Sequence, residues 1–371
     1  MADEKIGNIF VYKDEDGKAV WEFEGKVQSD IPLDTKAQDF AGAINELKKL
    51  SEQGGGEVWQ PPDWWLEVPE PGEWEANFLI EIRNVFTFTF IFRDPVNGWN
   101  GHGILTIDWG DGTVETFRGY TINEQGNFIG TSRATTNTHT YSEPGQYVIK
   151  TVTDDLSCGL AVVADTINTY GRTCVNLLIA KTGKNIRFNK GWDNFNNYGA
   201  FMGCYRLRWL KVNGNSELAP AFLSGCGNLR RLEFAEPVTE VPNECFTDVV
   251  FPSNFDFSKI VKIGYRAFMN SRIPVKLTLP ECTELAANAF NYCPLEEINL
   301  PKCEKIPDYA FRDFNFPLRA VCAPNCTSVG TYAFSGKSKL ETAEFSDNCT
   351  FGANCFQLCN SLYPRPDGST N

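Results

Sequence analysis

Apolar residues recur at a fixed interval through the second half of the chain, from about Asn194 to Leu362. A small residue followed by phenylalanine occurs there eight times, with successive phenylalanines 21 to 24 residues apart. These anchors are Phe201, Phe222, Phe246, Phe268, Phe290, Phe311, Phe334 and Phe356. One aromatic position repeating at such a period predicts a solenoid of stacked coils whose anchors form an interior ladder.

Other apolar positions keep the same phase. An apolar residue lies five positions before six of the anchors: Val241, Ile263, Leu285, Ile306, Val329 and Phe351. After most anchors comes an alternating pair such as Ile298 and Leu300, which predicts a short strand with one buried face. One coil cannot bury its apolar side alone, so the coils must stack. The coil between Phe246 and Phe268 has 252–257 in place of the pair, which we interpret as a local bulge.

Two phrases, Ile306–Phe311 and Val329–Phe334, resemble the BspA-type leucine-rich repeat. The resemblance covers nearly half the chain and implies a leucine-rich-repeat solenoid. Apolar runs at Leu160–Val163 and Val175–Ile179 are expected to form an atypical first coil that caps its open end. Residues 156–371 are therefore predicted to be a solenoid with an N-terminal cap.

Residues 73–155 are predicted to form a β domain. Runs at Phe78–Arg83 and Val85–Phe92 are rich in β-branched and aromatic residues, and an Asp-Gly turn follows the strand at 104–109. A motif follows in order: Asp108, Trp109, Gly110, Asp111, Gly112, His139, Tyr141 and Gly145. It resembles the PKD domain, an immunoglobulin-like β-sandwich, which implies a spacer or an interaction module.

The two aspartates of this motif raise the possibility of calcium. Asp108 and Asp111 are too few for a cage of about 6–8 oxygen ligands, so we interpret them as turn caps. We interpret His139 as a structural hydrogen-bonding residue. No metal site is expected in the chain.

Residues 1–53 are predicted to be a small β-hairpin plus a helix. Ile9–Tyr12 and Val20–Glu24 flank a turn, and a helix pattern follows as far as Leu50. One face of that helix is apolar: Phe40, Ala43, Ile44, Leu47 and Leu50. This stripe must pack on the hairpin or join copies of itself, so these residues are candidates for anchoring or for a trimer. Ala43–Leu47 resembles a segment of phage tail, fibre and baseplate proteins.

Residues 54–72 are predicted to be a Trp/Pro-rich linker. Residues 59–72 hold four prolines and three tryptophans, which indicates a stiff, extended connector. Trp59, Trp64 and Trp65 would dock on a neighbouring domain or stack on sugars. The order of this segment before Asp108–Gly112 resembles an arrangement in phage virion proteins.

Composition narrows the functional classes. The 371 residues are 42% hydrophobic, with a net charge of −13 and a pI near 4.8, which argues against nucleic-acid binding through a basic patch. The sequence contains no run of about 18 consecutive apolar residues, so no membrane-spanning helix is expected. The N-terminus also lacks the apolar region of a secretion signal. All 13 cysteines lie at or after Cys158, many in phase with the repeats. We expect buried small hydrophobes in a protein assembled in a reducing cytoplasm.

The chain contains no P-loop, Gly-x-Ser-x-Gly elbow or His-Glu-x-x-His motif, so we expect a non-enzyme without a cofactor. The leading hypothesis is a phage virion structural protein, a tail fibre, spike or head decoration assembled in the host cytoplasm. It would bind other virion proteins through its N-terminus and a host cell-surface protein or glycan through its solenoid. The alternative is a bacterial cell-surface or secreted adhesin. The third hypothesis is an accessory of a glycan-degrading enzyme, because paired catalytic carboxylates leave no local motif.

Overall fold

A computed structural model describes part of the chain. The described residues are 8–13, 19–24, 59–82, 86–93, 104–118, 121–122, 128–129, 135–153, 159–163, 166–168, 171–173, 177–188, 199–214, 218–312 and 317–369. They contain strands and turns but no α-helix, which confirms a mainly β fold. The predicted helix with Phe40, Ala43, Ile44, Leu47 and Leu50 lies outside them. No helix in these ranges could span a membrane.

The chain divides into two compact units, 1–66 and 67–371. The first holds β1 (Asn8–Lys13) and β2 (Ala19–Glu24), which pair antiparallel. The second begins with β3 (Glu75–Ile82), β4 (Phe86–Arg93), β5 (Ile104–Asp108), β6 (Val114–Arg118), β7 (Thr121–Ile122), β8 (Phe128–Ile129), β9 (Thr135–Tyr141), β10 (Gly145–Thr153), β11 (Gly159–Val163), β12 (Thr166–Asn168), β13 (Gly171–Thr173), β14 (Leu177–Thr182) and β15 (Arg187–Phe188).

The repeats supply the remaining strands, all of them short. They are β16 (Trp209–Val212), β17 (Arg231–Phe234), β18 (Glu240–Val241), β19 (Lys262–Ile263), β20 (Lys276–Thr278), β21 (Glu284–Leu285), β22 (Glu297–Asn299), β23 (Lys305–Ile306), β24 (Ala320–Ala323), β25 (Ser328–Val329), β26 (Thr342–Phe345) and β27 (Thr350–Phe351). Each paired repeat strand is parallel to its counterpart on the next coil. The solenoid prediction is therefore confirmed.

One seven-stranded sheet joins the β domain to the solenoid, in the order β6-β5-β10-β3-β14-β16-β17. Pairing is antiparallel from β6 to β14 and parallel from β14 onward. A second sheet has the order β9-β4-β11-β15. β11, which we expected in the first coil, pairs antiparallel with β4. Both sheets thus cross the expected boundary at 155/156. The PKD resemblance itself remains a prediction.

The anchor phenylalanines lie in the solenoid core, and each is at most 1% exposed. From Phe268 to Phe356 the rings of successive anchors stack with centroids 5.2–5.7 Å apart and planes within 5° of parallel. Cysteines three or four positions after an anchor form hydrogen bonds between coils. Cys226, Cys293 and Cys359 donate their thiols to the carbonyls of Phe201, Phe268 and Phe334.

Each anchor sits in a corner with an unusual backbone. Left-handed residues lie two positions before and two positions after Phe246, Phe268, Phe290, Phe334 and Phe356, as Arg266 (φ 53°) and Asn270 (φ 56°) do around Phe268. Alternating right- and left-handed residues turn their N–H groups to one side. The N–H groups of Arg266, Phe268 and Asn270 accordingly donate to Ala287, Ala289 and Asn291 of the next coil.

The coil between Phe246 and Phe268 lacks the first strand. There the side chain of Asn254 substitutes for backbone pairing: its amide nitrogen donates to the Leu232 carbonyl at 2.7 Å. Phe251, Phe255 and Phe257 fill the space beside the two anchors. This is the expected bulge, and it separates β17 from the sheet β20-β22-β24-β26.

Candidate functional site

The residues of the PKD-like motif form one cluster at the turn after β5. The Trp109 ring stacks on His139 at 4.9 Å, and His139 Nε2 lies 2.7 Å from Asp111 Oδ2. Trp109 Nε1 donates to Glu115 at 2.7 Å, and the Tyr141 hydroxyl donates to the Trp109 carbonyl at 2.9 Å. These polar atoms bind one another, an arrangement that suits a structural role.

The two aspartates accept backbone hydrogen bonds in this turn. Asp108 accepts from the Gly110 nitrogen at 3.0 Å, and Asp111 accepts from the Thr113 nitrogen at 2.9 Å. Gly110 has a φ of 80°, and a Cβ there would lie 2.6 Å from the Val148 carbonyl oxygen, so a side chain does not fit. Partial burial raises the pKa of Asp111, but the hydrogen bonds from His139 and Thr113 outweigh it and leave the pKa below its usual range. The described ranges contain no group of three or more residues that could hold a metal ion.

The tryptophans of the linker contact each other. Trp65 meets Trp59 and Trp64 edge-to-face at 6.0 and 5.9 Å. Trp65 is buried, whereas Trp64 is 38% exposed. Docking and sugar stacking both remain predictions for these three side chains.

The end of the linker belongs to the second unit and is fixed to its sheet. Lys181, on buried β14, donates to the Val68 carbonyl at 2.7 Å and to Glu70 at 3.0 Å. Lys211 of β16 also contacts Glu70, at 2.6 Å. Partial burial of the Glu70 carboxyl raises its pKa, but the ammonium groups of Lys211 and Lys181 outweigh this effect and leave the pKa lowered. Residues 67–72 therefore lie on the strands at which the β domain meets the solenoid.

A groove of about 690 Å³ crosses four coils of the solenoid beside β18, β19, β21 and β23. Its lining includes three small or rigid residues, Pro242, Gly264 and Ala286. A Cβ at Gly264 would lie 2.7 Å from the Asn243 nitrogen, so the close approach of neighbouring coils leaves no room for a side chain there. The groove is the candidate binding site of the described solenoid.

Acidic and basic residues alternate along one side of the groove: Glu240, Lys262, Glu284 and Lys305, one on each coil. Lys262 lies 3.6 Å from Glu240 and 3.4 Å from Glu284, and its bond to Glu284 raises its pKa. The groove consequently offers both donors and acceptors of hydrogen bonds. The sequence analysis did not predict this groove. Its signal is the alternation of acidic and basic residues at the position six residues before successive anchors.

The family comparison concerns the repeats. The family model for the BspA-type leucine-rich repeat region matches residues 181–284 and 251–363, with six copies. The C-terminal half of the chain therefore carries BspA-type leucine-rich repeats. The PKD-like and phage-like segments lie outside these matches and remain predictions.

A solved structure that resembles this chain is that of a leucine-rich repeat protein from Bacteroides ovatus. The two are 15% identical, with 55% of this chain and 77% of that chain covered and a TM-score of 0.30. A comparison with curated proteins gives no match.

Proposed function

We propose that this leucine-rich repeat protein is an adhesion protein whose solenoid groove binds a polymer on a cell surface. The groove is the observation that supports the proposal, because it runs across four coils and its polar side chains extend along the stack. A ligand with repeated polar groups would meet a charged side chain on each coil, acidic and basic in alternation. Contacts to successive coils would then add, as they do on the extended surfaces of other repeat proteins.

The proposed role is not catalytic. In the groove, the carboxylates of Glu240 and Glu284 lie within 3.6 Å of the ammonium group of Lys262. Both carboxylates therefore already have a charged partner within the groove. The regular coils also lack the long insertions that usually carry catalytic loops.

We place the protein on a phage particle, attached by its N-terminus to other virion proteins. The support is the resemblance of Ala43–Leu47 to a segment of phage proteins, and the resemblance of the order of Trp59–Trp64 before Asp108–Gly112 to an arrangement in phage virion proteins. The apolar stripe of the predicted helix would hold three copies together. A bacterial surface adhesin would use the same solenoid, and an accessory of a glycan-degrading enzyme is the third possibility.

The anchoring part of the proposal is tested by solution mass. Light scattering should give a trimer for the full chain and a monomer for a chain that starts at Glu67. The truncation should keep Val68 and Glu70, because Lys181 depends on both for its hydrogen bonds. Equal oligomeric states for the two chains would contradict a trimer held together by residues 1–66.

The adhesion part is tested by incubating the labelled full chain with a panel of bacterial cells and immobilised polysaccharides. Saturable retention without cleavage of the polysaccharide is expected. Cleavage would support the enzyme alternative instead, and absence of retention on every surface would contradict adhesion.

A further inference from the structure

We propose that Tyr309, Arg312 and Tyr332 form a second binding site on the solenoid, which takes a carboxylate-bearing sugar of a surface polysaccharide. The site lies at the anchor-bearing corner and shares no residue with the groove. It rests on the proposed adhesive function and specifies a ligand class for it.

The backbone does not favour tyrosine at this site. Tyr309 (φ 57°) and Tyr332 (φ 55°) are left-handed, a conformation that glycine and asparagine adopt more readily than tyrosine. Asn288 and Asn354 hold the equivalent position on the coils to either side.

Core packing does not account for the two tyrosines either. Both are half-buried, whereas the anchors Phe311 and Phe334, two residues further on, are at most 1% exposed. The tyrosine rings stack on each other with centroids 5.5 Å apart and planes 8° from parallel. The Asn354 amide donates to the Tyr332 hydroxyl at 3.0 Å. These contacts hold the rings in place before any ligand arrives.

Arg312 supplies the charge. This exposed side chain lies 5.2 Å from the ring centroid of Tyr309 and 5.8 Å from that of Tyr332. In the described part of the chain, no carboxylate forms an ion pair with it. Arg266 makes a similar contact with Tyr265 at 4.8 Å, but Glu244 lies 3.9 Å away. Arg312 therefore keeps its planar set of donors available for a carboxylate.

The surrounding groups favour a sugar as the source of that carboxylate. The tyrosine hydroxyls and the Asn354 amide are neutral hydrogen-bonding groups that suit sugar hydroxyls, while the ring edges offer apolar contact. Tyr309 and Tyr332 lie on adjacent coils, about 5 Å apart by the spacing of neighbouring strands. Three side chains on two coils are few beside the roughly 20–30 residues that each partner contributes to a standard protein interface.

Isothermal calorimetry on the full chain tests the proposal with three probes: oligogalacturonate, a neutral dextran oligosaccharide and a poly-glutamate peptide. Oligogalacturonate should bind and the other two should not. Arg312→Gln should weaken binding about tenfold or more, and Arg312→Lys should weaken it less, because lysine keeps the charge but loses the fork. Binding should also weaken as salt increases.

Two variants keep the test independent of folding. Tyr309→Asn introduces the residue that flanking coils use at this position, so the fold should persist while binding falls several-fold. Arg266→Gln, the matched control, should bind as the wild type does. Unchanged binding by both Arg312→Gln and Tyr309→Asn would overturn the proposal, as would equal binding of the neutral sugar. Stronger binding of the peptide would replace the sugar with a polypeptide.

The same variants separate this inference from the adhesive function. If the full chain is retained on cells while Arg312→Gln and Tyr309→Asn bind oligogalacturonate as the wild type does, adhesion stands and the second site fails. If the wild type is retained on no surface, the adhesive function itself fails.

Discussion

The rings of Phe268 and Phe290 lie on successive coils with their centroids 5.3 Å apart and their planes 1° from parallel. Near-identical stacking requires the same backbone corner on both coils, and the hydrogen bond from the Phe268 nitrogen to the Ala289 carbonyl, 2.9 Å long, fixes that spacing. The regular stacking of the anchor rings therefore depends on the regular stacking of the coils.

Phe290→Ala should remove one step of the ladder. We expect the free energy of unfolding to fall by about 3–5 kcal/mol, because a fully buried aromatic side chain is replaced by a cavity. Hydrogen exchange should accelerate on the coils of Phe268 and Phe311, since each coil depends on its neighbours. Tyr363→Ala is the control: Tyr363 is 90% exposed, so the change should stay within about 0.5 kcal/mol. A similar effect of the two variants would contradict the ladder.

Cys293 should tolerate serine better than alanine. Its thiol donates to the Phe268 carbonyl at 2.9 Å, and Ser271 makes the equivalent bond to the Phe246 carbonyl. The same carbonyl also accepts from the Ser271 nitrogen at 3.1 Å, so Cys293→Ala removes one of its two donors and should cost about 0.5–1.5 kcal/mol in urea unfolding, whereas Cys293→Ser keeps both. If serine proves no better than alanine, burial of the sulfur matters and the hydrogen bond does not.

Asp111 should make the stability of the β domain depend on acid pH. Its pKa is lowered in the folded protein, so its contribution is complete above the usual carboxyl pKa of about 4 and is lost as the pH falls through the folded value. Asp111→Asn should lower stability at pH 7 by about 1 kcal/mol and flatten the decline below pH 4. Chemical unfolding followed from pH 7 to pH 2 would show this. An equally steep decline in the variant would contradict the assignment.

Gly183 should be essential where the β domain meets the solenoid. A Cβ at this position would lie 1.9 Å from the Gly72 carbonyl oxygen. The Gly183 nitrogen donates a hydrogen bond to the backbone carbonyl of Glu75 at 2.7 Å. Gly183→Ala should therefore cost more than about 2 kcal/mol, with hydrogen exchange rising in β3 and β16 together. Gly227→Ala is the milder control, because its Cβ would meet Asp248 at an ordinary 3.4 Å. Exchange that rises in β3 alone would indicate two independent modules.

The periodic features of the chain could be predicted from the sequence because they depend on neighbouring coils repeating the same chemistry. The buried anchors and the alternating strand residues follow directly from such repetition. Non-repeated contacts could not be predicted this way. The hydrogen bond from Lys181 to the Val68 carbonyl spans 113 positions, and no local sequence pattern around either residue predicts it. Asn254 likewise reads as a loop residue, although its side chain substitutes for a strand.

The surface properties of the solenoid were harder still to predict. A lysine six residues before an anchor reads as a solvated charge, and only the stacked coils bring Lys262 between Glu240 and Glu284. Tyr309 and Tyr332 are 23 residues apart along the chain, yet their rings stack because they share one position in adjacent repeats. The repeat period places these surface residues on neighbouring coils, but the sequence analysis applied the period only to the buried anchors and strand residues.

Surface retention of a chain with a filled groove is the most direct test of the adhesive function. Ala286 lies in the groove, so Ala286→Tyr should occupy it without disturbing the core. Ala320→Tyr is the matched control, because Ala320 is also half-buried but lies on β24, outside the groove. Labelled Ala286→Tyr should lose most of its retention on cells, whereas Ala320→Tyr should keep it. Equal retention of both variants and the wild type would show that the groove is not the adhesive surface.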